Sequence, residues 1–129
     1  MNTSTHSNDG ILETMPKNMP SQEMVSRLVD HLRALADEVR LRILLRLKQG
    51  ECNVSTLVDE LQVGQASISK HLAVLRRAGI VQVRRGGNQS FYSIRDGSVF
   101  QVCHLICESV KKQQAETAAA LEGTIDFEI

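Results

Sequence analysis

Lys70, Arg76, Arg77, Arg84, Arg85 and Arg95 all fall between Gly64 and Arg95, a stretch without one Asp or Glu, in a chain whose formal net charge is zero. Cations concentrated in this way, with no local acid to neutralise them, suit contact with the phosphates of a nucleic acid. The other nine Lys and Arg face all fifteen acidic residues, so the rest of the surface repels such a partner. Gln65, Ser67, Ser69 and Lys70 open this stretch with hydrogen-bonding side chains. Gln pairs with adenine through two bonds, and Lys reaches guanine or a phosphate. His71 has two equal readings, a donor to phosphate or a residue packed on a neighbouring helix. Arg77, Arg84, Arg85 and Asn88 are candidates for backbone contact, which gives affinity more than sequence choice. The competing reading of Arg84 and Arg85, a solvated strand edge, is disfavoured by the missing acids.

Thiols are the second chemistry. Cys52, Cys103 and Cys107 are an odd number and imply reduced thiols rather than a disulfide framework. Cys103 and Cys107 stand four apart, which on a helix places their Cβ atoms about 5–6 Å apart. A disulfide needs about 3.5–4.5 Å, so an intrahelical bond is unfavourable. A bridging soft ion such as As(III), or a thiol pair across a two-fold axis, fits the spacing better, since thiolates select soft metals. Two small buried hydrophobes fit it equally well.

The elements that position these groups follow from caps and periodicity. Ser21 caps a helix with Val25, Leu28, Leu32 and Leu35 on one stripe, and Asp37 caps another running through Val39, Ile43, Leu44 and Leu47 to Gly50. Asn53 caps a short helix with Val54, Leu57, Val58 and Leu61 inward, and Gln62-Val63-Gly64 breaks it from a fourth that buries Ile68, Leu72 and Leu75 and stops at Gly79. Two short helices joined in this way predict a helix-turn-helix. Ile80 to Arg85 and Gln89 to Ile94 are β-prone and flank Gly86-Gly87-Asn88, which supplies the positive φ angles of a tight hairpin. Asp96 caps a last helix whose Val99, Phe100, Val102, Cys103, Leu105, Ile106, Cys107 and Val110 cover more than one face, implying burial on two sides. Val99, Ile106 and Val110 are expected in or beside an interface with a second copy.

At 129 residues, 42% hydrophobic and only 3% aromatic, the chain suits one domain with an aliphatic helical core. The expected division is a flexible tail over residues 1–20, a folded domain over 21–122 and a short tail over 123–129. No apolar run approaches the roughly 18 residues that span a bilayer, and no charged leader precedes an apolar segment, so a cytoplasmic protein without a membrane partner is expected. An enzyme is disfavoured: there is no Gly-rich phosphate loop, no paired carboxylates in a plausible cleft, and no Cys/His pair with an orienting acid.

Leu35-Ala36-Asp37, Arg40-Leu41-Arg42-Ile43-Leu44, Gln65-Ala66-Ser67-Ile68-Ser69-Lys70-His71-Leu72 and Leu75-Arg76-Arg77-Ala78-Gly79-Ile80-Val81 together resemble the ArsR/SmtB family of bacterial winged-helix repressors, from about Gln22 to about Val110. The resemblance implies a mainly α fold with a small β-hairpin wing, a winged helix-turn-helix dimeric through its first and last helices. It implies a homodimer that places the Gly64 to Ala78 helix in the major groove of an inverted-repeat DNA operator. The family's usual ligands are poorly matched. Asn53 and Ser55 stand where many members carry two thiols, and Cys52 is one residue out of register, about 100° around a helix. Of the zinc ligands on the last helix only Asp96 matches; Ser98, Ser109 and Lys112 replace the others, and His104 is not at a ligand position. Cys103 and Cys107, with Cys52 as a lesser candidate, remain for a thiol or soft-metal sensor. The functional expectation is a DNA-binding repressor with thiol-based sensing. Its alternatives are a repressor of this kind without metal sensing, or a winged-helix protein-interaction module that does not bind DNA.

Overall fold

A computed structural model describes residues 17–115, so most of the expected N-terminal tail, the last residues of the expected domain and the C-terminal tail lie outside the described residues. The chain divides into two units after Arg33. In the first, helix α1 (Gln22–Leu35) begins where the Ser21 hydroxyl accepts the Met24 amide at 3.1 Å. Met24, Val25, Leu28, Val29 and Leu32 are exposed on it.

The second unit holds α2 (Glu38–Lys48), β1 (Cys52–Asn53), α3 (Val54–Leu61), α4 (Gln65–Arg77), β2 (Val81–Gly86), β3 (Gln89–Ile94) and α5 (Ser98–Gln113). Its core gathers the apolar positions that the helical and strand periods bring inward: Leu35, Ile43, Leu44, Leu47, Leu57, Ile68, Leu72, Leu75, Ile80, Val81, Val99 and Phe100 are buried. Asp37 caps α2 by accepting the Arg40 amide at 3.0 Å, and Asn53 caps α3 by accepting from the Thr56 amide and hydroxyl. Both side chains satisfy donors that the helix cannot.

The sheet has one strand more than the hairpin expected. β1 pairs antiparallel with β3, Cys52 opposite Tyr92 and Asn53 opposite Phe91, in the order β1-β3-β2. Cys52 therefore sits in a strand and not at the start of a helix. The turn also differs: only Gly87 has a positive φ, of 64°, as the first central residue of a type II′ hairpin does. Gly86 is small for another reason, since a Cβ there would lie 2.9 Å from Cε2 of Phe91.

At the end of the chain's helical order, α5 is preceded by Gly97 at the cap position. Asp96 acts one residue earlier than a regular cap, accepting the Ser98 amide at 3.0 Å. The helix has two apolar faces. Val99, Phe100, Cys103 and Cys107 lie on or against the core, while Val102, Leu105, Ile106 and Val110 are exposed. Val99, expected in or beside an interface, is 2% exposed and packs in the protein's own core.

Candidate nucleic-acid interface

Helix α4 is held by Ile68, Leu72 and Leu75, each fully buried, on one side of the helix. Gln62 closes α3 in the left-handed conformation (φ 56°, ψ 44°), and Gly64 opens α4 without any side-chain cap, so the first-turn amides are not used by a capping side chain. The helix ends in a Schellman motif: the Ile80 amide donates to Leu75 and the Gly79 amide to Arg76, with Gly79 at φ +77°. Fixed at both ends, α4 turns Gln65, Ser69, Lys70, Arg76 and Arg77 to solvent, with Ser67 half-buried. Lys70, Arg76 and Arg77 have no acidic partner among the described residues. An open groove runs between this face and the sheet, lined by Ser69, Ala73, Arg76, Arg77 and Tyr92. Nothing in the sequence pattern singles out Ala73 or Tyr92, because neither carries charge; the small side chain opens the groove and the phenol forms its wall.

The wing separates two arginines that the sequence treats alike. Successive side chains of a strand point to opposite faces. Val81, Val83 and Arg85 share the face of Tyr92 and Cys52, which packs on the core and runs out toward the α4 groove. Arg84 shares the other face with Phe91. There its guanidinium stacks 4.7 Å from the centre of the Phe91 ring and grips Glu51 through Nε, at 3.0 and 2.9 Å from the two carboxylate oxygens, and through Nη2. The acid-free context of Arg84 is thus undone by an acid from outside the stretch. The hydrogen bond to Arg84 holds the Glu51 carboxyl below its usual range and raises the Arg84 guanidinium in turn. Among the described residues Arg85 makes only a long bond to the Ser90 hydroxyl, 3.4 Å. Asn88 is exposed in the turn.

His71, half-buried on α4, faces the start of α2. Nη1 of Arg40 lies 3.1 Å from its Nδ1, and the Asp37 carboxylate lies 3.8 Å from the same nitrogen. Asp37 itself is held below its ordinary pKa, chiefly by the Arg40 amide, against the opposing effect of burial.

The three thiols do not converge into a ligand set. Cys52 is buried on the core face of the sheet, and Cys103 and Cys107 pack against the core from α5. At about 100° per residue, the cysteine pair lies beside the exposed row of α5, Cys103 about 60° from Ile106 and Cys107 about 60° from Val110. Burial pushes the Cys52 and Cys103 thiols up. Among the described residues no three His, Cys, Asp or Glu side chains come together to hold a metal ion. None of the described helices is long and apolar enough to cross a membrane.

Residues 37–83 match the family described as "Bacterial regulatory protein, arsR family". The chain is 35% identical over 91 residues to the HTH-type transcriptional repressor SmtB of Mycobacterium tuberculosis, a match covering 70% of this chain and 65% of that protein. It is 35% identical over 96 residues to the transcriptional activator HlyU of Vibrio cholerae, covering 74% of this chain and 89% of that protein. The fold is similar to the solved structure of HlyU from Vibrio cholerae, with a TM-score of 0.60 at 33% identity over 68% of this chain and 96% of that one. It is also similar to NolR from Sinorhizobium fredii, with a TM-score of 0.64 at 29% identity over 73% and 95%.

Proposed function

Since the chain belongs to the ArsR family of bacterial regulatory proteins, we propose that it is a homodimeric, non-enzymatic transcriptional repressor, acting in the cytoplasm on an inverted-repeat site in double-stranded DNA. One observation carries the reading. The exposed face of α4 presents Lys70, Arg76 and Arg77 without acidic partners among the described residues, and a groove joins that face to the wing side on which Arg85 projects. A helix of this shape lies in the major groove with its N-terminal residues at the base edges. On this reading Gln65, Ser69 and Lys70 take that role, with Ser67 at the margin. Arg77, Arg85 and Asn88 take the backbone. A salt-insensitive complex, or none, on the protein's own upstream DNA would favour the protein-interaction module instead.

Dimerisation is supported by the apolar side chains left exposed on α5 and, separately, on α1. Covering such rows is what drives association. Repression follows if the dimer occupies a promoter. SmtB is a repressor and HlyU an activator, so a reporter under the protein's own upstream region decides the sign. The expected result is higher expression when the gene is deleted.

The packing of Cys103 and Cys107 against the core supports the reading without thiol sensing. The reactive and ligating species is the thiolate, and burial disfavours it at Cys103. A Cys103→Ser, Cys107→Ser variant, titrated on DNA with arsenite, cadmium and peroxide, should respond as the parent does. Loss of a response that the parent shows would restore the thiol pair as the sensor.

A further inference from the structure

We infer that Arg40 is a positioning residue for DNA binding: it fixes the tautomer of His71 so that the Nε2 proton is offered to a backbone phosphate. The inference deepens the DNA-binding reading and rests on it for its target. It begins with what an arginine can do. A guanidinium has only N–H donors and does not lose its proton, so the 3.1 Å contact of Arg40 Nη1 with His71 Nδ1 makes Nδ1 the acceptor. A neutral imidazole that accepts at one nitrogen carries its proton on the other. The proton is therefore on Nε2.

Arg40 is itself held from two sides. Its Nε donates to the Ala34 carbonyl at 2.7 Å, and its amide donates to the Asp37 carboxylate at 3.0 Å. That carboxylate is 3.8 Å from Nδ1, beyond hydrogen-bonding distance, so Asp37 does not draw a proton onto Nδ1 in this arrangement. Arg40 and Asp37 are the charged groups that face the ring across this contact.

The other end of the ring reaches the surface. Nε2 makes no hydrogen bond among the described residues, and no buried side-chain nitrogen or oxygen among them lacks a partner. The His71 side chain is 20% exposed. His71 stands one helical turn after Ser67, on the margin of α4 and off the face that carries Gln65, Ser69 and Arg76. The margin of a helix seated in the major groove meets the sugar-phosphate backbone, and the centre meets the bases. A single fixed N–H there suits a phosphate oxygen.

The test has one arm without DNA. In nitrogen-15 NMR of the free protein, His71 should show an acceptor-type Nδ1 and a protonated Nε2, and Arg40→Met should populate both tautomers. On the protein's own upstream DNA, His71→Leu should lose about tenfold in affinity. His71→Gln, whose amide can donate from a similar position, should keep most of it. Arg40→Met should fall between, with unfolding midpoints measured alongside. A proton on Nδ1 in the parent, an unchanged tautomer in Arg40→Met, or parental affinity in His71→Leu would each overturn the inference. If Arg40→Met does not fold, the parent spectrum and the two His71 variants still decide. If the parent binds no DNA, the family-based reading fails and the phosphate contact with it, while the spectrum still decides what Arg40 does to the ring.

Discussion

Arg84 and Arg85 lie on opposite faces of β2, so truncating each removes a different interaction. Arg85→Ala should flatten the dependence of DNA affinity on salt, by about 0.9 in the logarithmic slope for each phosphate that the side chain no longer neutralises. Arg84→Ala should leave that slope in place and instead free Glu51 and Phe91, seen as faster amide exchange across β1 and β3. Mobility-shift titrations at several salt concentrations distinguish the two, and equal slopes for both variants would refute the division. Gly86→Ala presses a methyl group against Phe91 and against Arg84 Nη1, 3.0 Å away. Both neighbours are side chains near the surface and can give, so the cost in a urea titration should be about 1 kcal/mol, at the low end for overpacking. Residue types alone identified which side chains are cationic and which can read a base. The partner of Arg84 was not legible, because Glu51 is 33 positions away in the chain and meets it only through the β1–β3 pairing.

Helices were the legible elements, because their signals are local. Ser21, Asp37 and Asn53 each bond an amide three residues on, an interaction that the chain makes within one turn. Asp37 offers a pH test. Its folded pKa lies below the ordinary 3.8, so the cap contributes fully above that value and is lost as the pH falls through the lower, folded pKa. Asp37→Ala should cost about 1 kcal/mol at neutral pH, and its deficit relative to the parent should shrink in urea titrations carried from about pH 6 toward about pH 3. A deficit that grows with acid would contradict the assignment. β1 was not legible: two residues carry no alternation, and their pairing depends on β3. The breadth of the apolar surface on α5, from Val99 to Val110, was legible as more than one face. Which face met the core was not, since apolar side chains and thiols suit either. Cys103 and Cys107 follow Val99 inward.

Over the whole chain the cations are sorted along the sequence. The acid-free segment supplies the exposed face of α4 and one face of the wing, while α5 leaves Leu105, 68% exposed, and Ile106, 56% exposed, uncovered. Ile106→Asp should weaken self-association and DNA binding together, because it would strand a charge in the apolar interface. Sedimentation and mobility-shift measurements on one preparation check this, and intact dimerisation would remove α5 from the interface. The short strand β1 has a consequence for how the chain reaches this state. Its two ladder positions, Cys52 with Tyr92 and Asn53 with Phe91, join the ends of a loop that contains α3, α4 and β2. Closing so long a loop is entropically unfavourable until its interior is compact, and a lone hairpin is marginal in water. The central strand of the wing should therefore acquire its protected amides at the same time as α4 in refolding followed by hydrogen exchange, making α4 and the wing a single cooperative unit.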